Sequence, residues 1–386
     1  MHVHYICQYG ELEENRNLAY SPAGVAKMKY IIDTLKGMGC TVTVYSTCCT
    51  KNGLGCFYNR KIIEIDKQQT VILSFTFGTK SKSRLKSYVM QRLERFTNKC
   101  QLLFYLLFKV KQKDIVMVYH EMYYLPIMRF VKMFKRIALV YEVEELYTAV
   151  ANRSDKELQT EVAELSIADA YIFSNDIMAR KYGFDSKPYV VAYGAYRMEP
   201  VYSGNQKDGK IHAVYAGTFD PRKGGAAAIT AAEHLDSNYH VHIIGFGSDE
   251  DVCSLRNSIA EISKRTDCTI TYDGLLQGER YIEFLQGCDI GLCTQIPDAT
   301  YNNSSFPSKI LSYMANGLRV VSIRIKAIEQ STVGDAIYYY EEQTPEAIAN
   351  AIKNVDFSDG YNPMQILDSL DARFVEDLEK LLQRPT

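Results

Sequence analysis

The stretch Ser304-Ser-Phe-Pro-Ser-Lys-Ile-Leu-Ser-Tyr-Met-Ala-Asn-Gly-Leu-Arg-Val-Val-Ser322 holds the densest chemistry in the chain. Its pattern predicts a loop, a helix over 308–316, a turn and a strand over 319–323. Pro307 sits where a first-turn proline costs no hydrogen bond, and Gly317 suits the residue that ends a helix. Amides at Ser308 and Lys309 would then point out of the helix N-terminus, where the dipole favours an anion. Ser308 and Ser312, four residues apart, share one face, and Lys309 adds a cation. Such a group could cradle a diphosphate. A plain capped surface helix uses the same residues without a ligand.

Other glycine-containing turns follow predicted strands. Ala216-Gly-Thr-Phe-Asp-Pro-Arg-Lys-Gly224 brings Gly217, Arg222 and Lys223 to one strand end. His242-Ile-Ile-Gly-Phe-Gly247 ends the next strand with Gly245, and Tyr272-Asp-Gly-Leu-Leu276 ends another with Gly274 and Leu275. In the first half, Ala19-Tyr-Ser-Pro-Ala-Gly-Val-Ala-Lys27 places Gly24 at a tight strand-to-helix turn with exposed amides. Val118-Tyr-His-Glu121 and Val140-Tyr-Glu-Val-Glu-Glu-Leu-Tyr147 put His120, Glu142 and Glu144 at two strand ends. An acid or base there could meet an acceptor hydroxyl, or the residues could form satisfied structural pairs.

The elements that position these residues alternate between short β-branched runs and helical patterns, the signature of parallel sheets with crossover helices. Strands are predicted at 2–7, 41–47, 71–77, 114–119, 138–143, 170–174 and 188–193. After a polar, Gly- and Asn-rich linker the alternation restarts at 210. An α/β fold of two similar domains is expected: 1–195, a linker at 196–210, 211–365, and a C-terminal helix at 366–386 that packs back on the first domain. In such open sheets ligands bind beyond the carboxyl ends of the strands.

Composition narrows the function. The 386 residues carry 44 basic and 46 acidic side chains, a balance against a dedicated nucleic-acid binder. Residues 80–136 are the exception, with 14 Lys/Arg against Glu94, Asp114 and Glu121. Within 80–113, Leu85, Val89, Leu93, Phe96, Cys100, Leu103 and Leu107 recur at helical spacing, with Arg84, Arg92, Arg95 and Lys99 along one flank. Such a helix suits an anionic membrane surface, or it packs on a core with a cationic rim. Ten cysteines without a CxxC pair, and no apolar run near the ~20 residues of a membrane span, point to a cytoplasmic protein with reduced thiols. No GxGxxG, GxxxxGK[ST], HExxH or GxSxG occurs. Asp249-Glu-Asp251 precedes a predicted helix and reads as an N-terminal cap before a metal site, so no metal ligand is expected.

In order and spacing, the second half resembles the nucleotide-sugar-binding domain of glycosyltransferase family 4. That family has the GT-B fold: two facing Rossmann-like domains with parallel sheets and a cleft between them. Its pattern runs GR(L)xxxKG, IxGxG, a strand ending in xG, then ExxxxxxxE-x-MAxGxPVV. Gly217 to Gly224 supplies the first part, with Thr218 at the arginine, and Tyr313-Met-Ala-Asn-Gly317 with Arg319-Val-Val321 supplies the last. The family's two glutamates fall at Ser304 and Ser312. Ser312 can make one hydrogen bond but cannot grip a diol as a carboxylate does.

The resemblance implies a hexosyltransferase that uses a nucleotide-diphosphate sugar, UDP-linked, with retention and without metal or cofactor. Lys223 and Arg222 would meet the diphosphate, Gly274 and Leu275 the base, Gly24 the diphosphate from the first domain, and His120 the donor sugar. The acceptor would be a hydroxyl of a bacterial polysaccharide or lipid-linked glycan, and the basic helix would make peripheral contact with the membrane. Two alternatives stay open: a non-catalytic nucleotide-sugar-binding scaffold subunit, favoured by the serines at 304 and 312, and a nucleotide-sugar epimerase of the same fold.

Overall fold

The computed structural model describes residues 1–12, 14–151, 153–202, 208–220, 223–297, 306–358 and 360–383. The chain divides into two compact units. The first comprises Met1–Ser174, Met178–Ala195 and Phe374–Thr386; the second comprises Asn175–Ile177 and Tyr196–Arg373.

In the first unit the elements are β1 (His2–Cys7), α1 (Pro22–Gly37), β2 (Thr41–Ser46), β3 (Phe57–Tyr58), β4 (Lys61–Glu64), β5 (Gln69–Leu73), β6 (Thr76–Phe77), α2 (Arg84–Phe108), β7 (Ile115–Tyr119), α3 (Leu125–Phe134), β8 (Ala138–Val143), α4 (Tyr147–Val150), α5 (Asp155–Leu165), β9 (Ala170–Phe173), α6 (Met178–Tyr182) and β10 (Tyr189–Val191). The sheet order is β10-β9-β8-β7-β1-β2-β5-β4, parallel except for the β4–β5 pair at the edge. β3 and β6 form a separate antiparallel pair. Strands β1, β7 and β8 are near-continuous Val, Ile, Tyr and Leu runs because helices cover both faces of the sheet.

The second unit holds β11 (Ile211–Thr218), α7 (Gly225–Ala231), β12 (Tyr239–Phe246), α8 (Asp249–Ile262), β13 (Thr269–Gly274), α9 (Glu279–Gln286), β14 (Ile290–Cys293), α10 (Lys309–Ala315), β15 (Arg319–Ile323), α11 (Lys326–Glu329), β16 (Ile337–Tyr340), α12 (Pro345–Lys353) and α13 (Pro363–Gln383). Its sheet is parallel, in the order β13-β12-β11-β14-β15-β16. This is the doubly wound order, and it reverses between β11 and β14. The end of α13 belongs to the first unit, where Phe374 packs 5.5 Å from Tyr30 of α1.

Local chemistry sets the helix starts. Ser21 caps α1 by accepting from the Gly24 amide, with Pro22 in the first turn. Asp249, Glu250 and Asp251 open α8, and Ser248 and Asp251 form a reciprocal capping box, so Asp251 serves the helix.

Helix α2 is oriented by polar residues. Glu94 accepts from Thr76 Oγ1 (2.5 Å), and Asn98 donates to the Cys48 carbonyl (2.9 Å) while accepting from Ser74 (3.1 Å). Gln101 brackets the backbone of Phe75. The buried side of the helix is therefore Glu94, Asn98, Leu102, Tyr105 and Leu106. Most of the predicted apolar stripe lies elsewhere. Leu85 is 73% exposed and Phe96 64%, while Cys100, Leu103 and Leu107 are half-buried. Phe108 (74%) and, on the neighbouring α3, Met133 (72%) and Phe134 extend the exposed apolar surface.

Candidate functional site

In the second unit the topological switch lies between β11 and β14. Gly217 pairs with Gly245 across β11 and β12. Gly245 has φ +139°, and a Cβ there would stand 1.7 Å from the Gly217 carbonyl oxygen. Gly224 has φ +91°, and its Cβ would fall 1.8 Å from the Thr294 carbonyl oxygen. Only glycine satisfies both demands, so strand end and turn meet their neighbours backbone to backbone.

Lys309 lies beside Gly217 and Tyr215. Its Nζ is shielded from solvent, has no hydrogen-bonding acceptor among the described residues, and lies 3.9 Å from the centre of the Tyr215 ring. A Cβ added to Gly217 would be 3.2 Å from this ammonium. Burial lowers its pKa to about 8, helped by repulsion from Lys223 and opposed by Cys293. A buried cation without an acceptor is costly unless an anion arrives. Tyr313 fixes the helix that carries Lys309: its hydroxyl accepts from the Ala216 amide (2.9 Å), and its ring fills the space that a side chain on Gly291 would need.

No curated protein matches the chain. Residues 210–355 match the family described as Glycosyl transferases group 1. In this stretch the second unit is similar to a group 1 glycosyl transferase domain. Solved structures similar to the whole chain include a trehalose-6-phosphate complex from E. coli bound with UDP-2-fluoro glucose, at 12% identity and TM-score 0.68, covering 100% of both chains. A UDP-forming alpha,alpha-trehalose-phosphate synthase from Burkholderia xenovorans in complex with glucose-6-phosphate is 11% identical (TM-score 0.66, 100% of both chains). Anabaena HepE in complex with UDP is 13% identical (TM-score 0.62, 99% of this chain and 98% of that one). At these identities the likeness establishes the fold, which is GT-B.

Within the transferase domain, Lys309, Gly217 and Gly245 converge, with Lys223 near enough to act on Lys309. Gly274 ends β13 with φ +84°, and Leu275 beyond it is exposed. Ser308 is exposed and precedes α10, a helix of only seven residues, which makes the Lys309 side chain a stronger feature than the helix end. The Ser312 hydroxyl is 3.1 Å from Tyr281 Oη, so part of its hydrogen-bonding capacity is already used. Arg222 and Ser304 lie outside the described residues.

The first unit gathers its candidates at the ends of β7 and β8. His120 and Glu142 are both fully buried. The His120 Nδ1 faces the Glu145 carbonyl (3.1 Å), and its Nε2 lies 3.2 Å from Glu161 Oε1. Burial pushes the Glu161 carboxyl up, but hydrogen bonds from His120 and Thr148 outweigh it and hold it low. Glu142 receives the Tyr5 hydroxyl and lies 3.9 Å from Lys27 Nζ, which pairs with Glu144. Burial raises the Glu142 pKa to about 8 against the pull of Lys27, so the group is held protonated near neutrality. Glu144 alone of the three sequence-derived candidates retains exposure. The Gly24 amide is not free: it bonds to Ser21 Oγ (3.2 Å), and the space beside its Cα is met by Tyr119 Oη.

Lys27, Tyr5, Glu161 and Tyr215 were not anticipated from sequence. Lys27 had a readable signal, because Gly24, Lys27, Met28 and Ile31 are three, four and seven apart on the buried face of α1. A lysine there must have a partner.

Among the described residues, two groups that could hold a cation lie outside these strand ends: His212 with His240 and His242, and His2 with His4 and Asp114. The sequence reading expected no metal ligands and had no means of pairing histidines from different strands.

Proposed function

We propose that the chain transfers a hexosyl unit from a nucleotide-diphosphate sugar, UDP-linked, to a hydroxyl of a polysaccharide or lipid-linked glycan, with retention of configuration. The observation that carries the donor half of this reading is the buried Lys309 ammonium, which has no acceptor among the described residues and lies beside the β11–β14 switch point. A diphosphate would supply the missing acceptors, and Lys309 with Lys223 would stabilise the negative charge that develops on it as the sugar departs. Arg222, Ser304 and the Ser308 and Lys309 amides are proposed as further donor contacts, with Gly274 and Leu275 at the base. UDP is named in all three of the similar structures reported above, and a trehalose-6-phosphate synthase of like fold is described as transferring with retention.

Roles in the first unit follow burial. Glu144, partly exposed and paired with Lys27, is the carboxylate placed to meet an acceptor. Glu142 acts through Glu144, and His120 through the Glu145 carbonyl and Glu161, as positioning residues. The exposed apolar face of α2 and α3, flanked by Arg84, Lys86, Arg92, Arg95 and Lys99, is proposed to lie on an anionic bilayer. Each basic residue near such a surface contributes roughly 1 kcal/mol. No described helix is long and apolar enough to cross a membrane.

The Ser312–Tyr281 contact favours a second reading, a nucleotide-sugar-binding subunit without activity of its own. A thermal-shift panel of UDP, GDP, ADP, CMP and dTDP, followed by incubation of the responding nucleotide's sugars with and without glycan acceptors, tests both. A shift with UDP and acceptor-dependent UDP release support the transferase. A shift without turnover supports the subunit, and no shift with any nucleotide overturns both.

A further inference from the structure

We propose that His212, His240 and His242 form a binding site for a first-row divalent cation of the Zn2+ type, separate from the donor site. All three occupy the N-terminal part of the second sheet. His212 pairs in register with His240 across β11 and β12, and His242 is two residues on, so all three side chains leave the same face. The site is five residues upstream of Gly217 along β11, about 16 Å at a strand's rise. It therefore belongs to the opposite end of the sheet from Lys309.

The case rests on where the ring nitrogens point. His212 Nε2 lies 3.0 Å from Asp208 Oδ1, and His242 Nδ1 lies 3.1 Å from Asp273 Oδ2. Carboxylates accept, so each outer nitrogen carries its proton outward. The inner nitrogens, His212 Nδ1 and His242 Nε2, then face each other 2.9 Å apart with lone pairs on both. At that distance the pair holds either one shared proton or one cation between them. His240 brings a third nitrogen, and the three ligand atoms lie within 4.8 Å of one another. Tetrahedral Zn–N bonds of about 2.0–2.1 Å require nitrogens roughly 3.3 Å apart, so binding opens the His212–His242 pair and turns the His240 ring, which stacks on His242 at 3.8 Å, toward the shared ion.

The surroundings are those of a metal-binding shell. Metal-bound histidines commonly donate their outer N–H to a carboxylate, which fixes the tautomer and raises ligand basicity. Asp208 and Asp273 stand in that relation to two of the three rings. Thr271 Oγ1 bonds both Asp273 (2.9 Å) and His240 Nε2 (3.0 Å), tying the third ring into the same shell. Lys210, the neighbouring cation, is engaged by Thr269 Oγ1 (2.8 Å). Phe284 of α9 covers His242 edge-on, while His212 and His240 keep partial exposure that admits an ion. Three imidazoles leave the fourth tetrahedral position to water. The bound ion would pin β11 to β12, and a proton held between His212 and His242 would leave as it binds.

The test is titration of the chelator-treated full chain with Co2+ and Zn2+, followed by calorimetry and by the visible absorption of tetrahedral Co2+. Wild type should bind one equivalent with nitrogen-dominated tetrahedral coordination, and Zn2+ should raise Tm. His242→Asn should weaken binding at least 100-fold, and Asp273→Asn by about 10- to 100-fold. His4→Asn, in the other histidine group, should change nothing. If the histidine variant does not fold, X-ray absorption of the Zn2+-loaded wild type still reads the ligand set. Failure of wild type to bind either ion at micromolar concentration overturns the proposal. So does binding that survives His242→Asn, or a ligand set without three imidazoles.

Discussion

The Lys309 ammonium lies 3.9 Å above the Tyr215 ring, and the same nitrogen would be 3.2 Å from a Cβ placed on Gly217. A ring face returns up to about 2 kcal/mol to a desolvated cation, less than the hydration it has lost. The position is therefore paid for only when an anion completes it.

Replacing Lys309 with Met keeps the volume and removes the charge. The unliganded variant should be as stable as wild type or more so, because a buried charge without an acceptor has been removed. Its affinity for UDP should fall roughly 10- to 150-fold, the worth of a hydrogen bond to a charged group. Calorimetry with UDP, beside a urea melt of each protein, reads both effects.

The depressed pKa of Lys309 gives a signed pH dependence. In the free protein the native state loses this proton near 8, while the unfolded chain holds it to about 10.4, so this group's contribution to stability rises with pH across that window. The nucleotide complex keeps the proton. UDP affinity should therefore decline as pH rises above about 8, and the decline should be absent in Lys309→Met. Titrations at several pH values in one ionic strength decide it.

Glu142 predicts the opposite slope. Its folded pKa is raised to about 8 by burial, so its favourable contribution is complete below the unfolded carboxyl value of about 4.3 and is lost as pH rises through the folded one. Tm measured between those limits should fall more steeply for wild type than for Glu142→Gln, which keeps the acceptor for Tyr5 without titrating. Equal slopes would show that Glu142 is ionised in the native state.

Two glycines with positive φ should respond differently to alanine. Gly245→Ala adds strain at φ +139° and a 1.7 Å clash with the Gly217 carbonyl, and should cost at least about 2 kcal/mol in a urea melt. Gly274→Ala at φ +84° meets nothing within 4 Å and should cost about 1 kcal/mol.

The exposed face of α2 predicts a surface effect without a core effect. Phe104→Ser with Phe108→Ser should reduce pelleting with anionic vesicles while leaving Tm nearly unchanged, since both rings are exposed and stack on each other. Arg84→Gln with Arg92→Gln should weaken pelleting most at low salt. Unchanged sedimentation in both variants would remove the membrane from the proposed function.

The parallel α/β architecture was legible because buried parallel strands are long apolar runs that announce themselves one at a time. β1, β8 and β15 begin and end where those runs do. β3 and β4 were not legible, being short pieces whose pairing is decided across the chain, and the single strand expected over 71–77 divides into β5 and β6. The glycine turns and Lys309 could be read from spacing, since a turn is a local event. That Lys309 would be shielded and stacked on Tyr215 could not, because the ring reaches it through the fold.

By itself the sequence determined the alternation of elements, the helix caps, the strand-end glycines and the candidate anion-binding lysines. Each depends on residues within a few positions of one another. Tertiary structure decided the rest. The apolar stripe of α2 faces outward because Glu94, Asn98 and Gln101 find their partners at residues 48 and 74–76. Glu142 keeps its proton because the fold buries it away from water, against the pull of Lys27 and Tyr5. Three histidines become one site only through the β11–β12 register. Burial, and the partner a polar group finds there, are properties of how distant segments meet, and no local spacing encodes them.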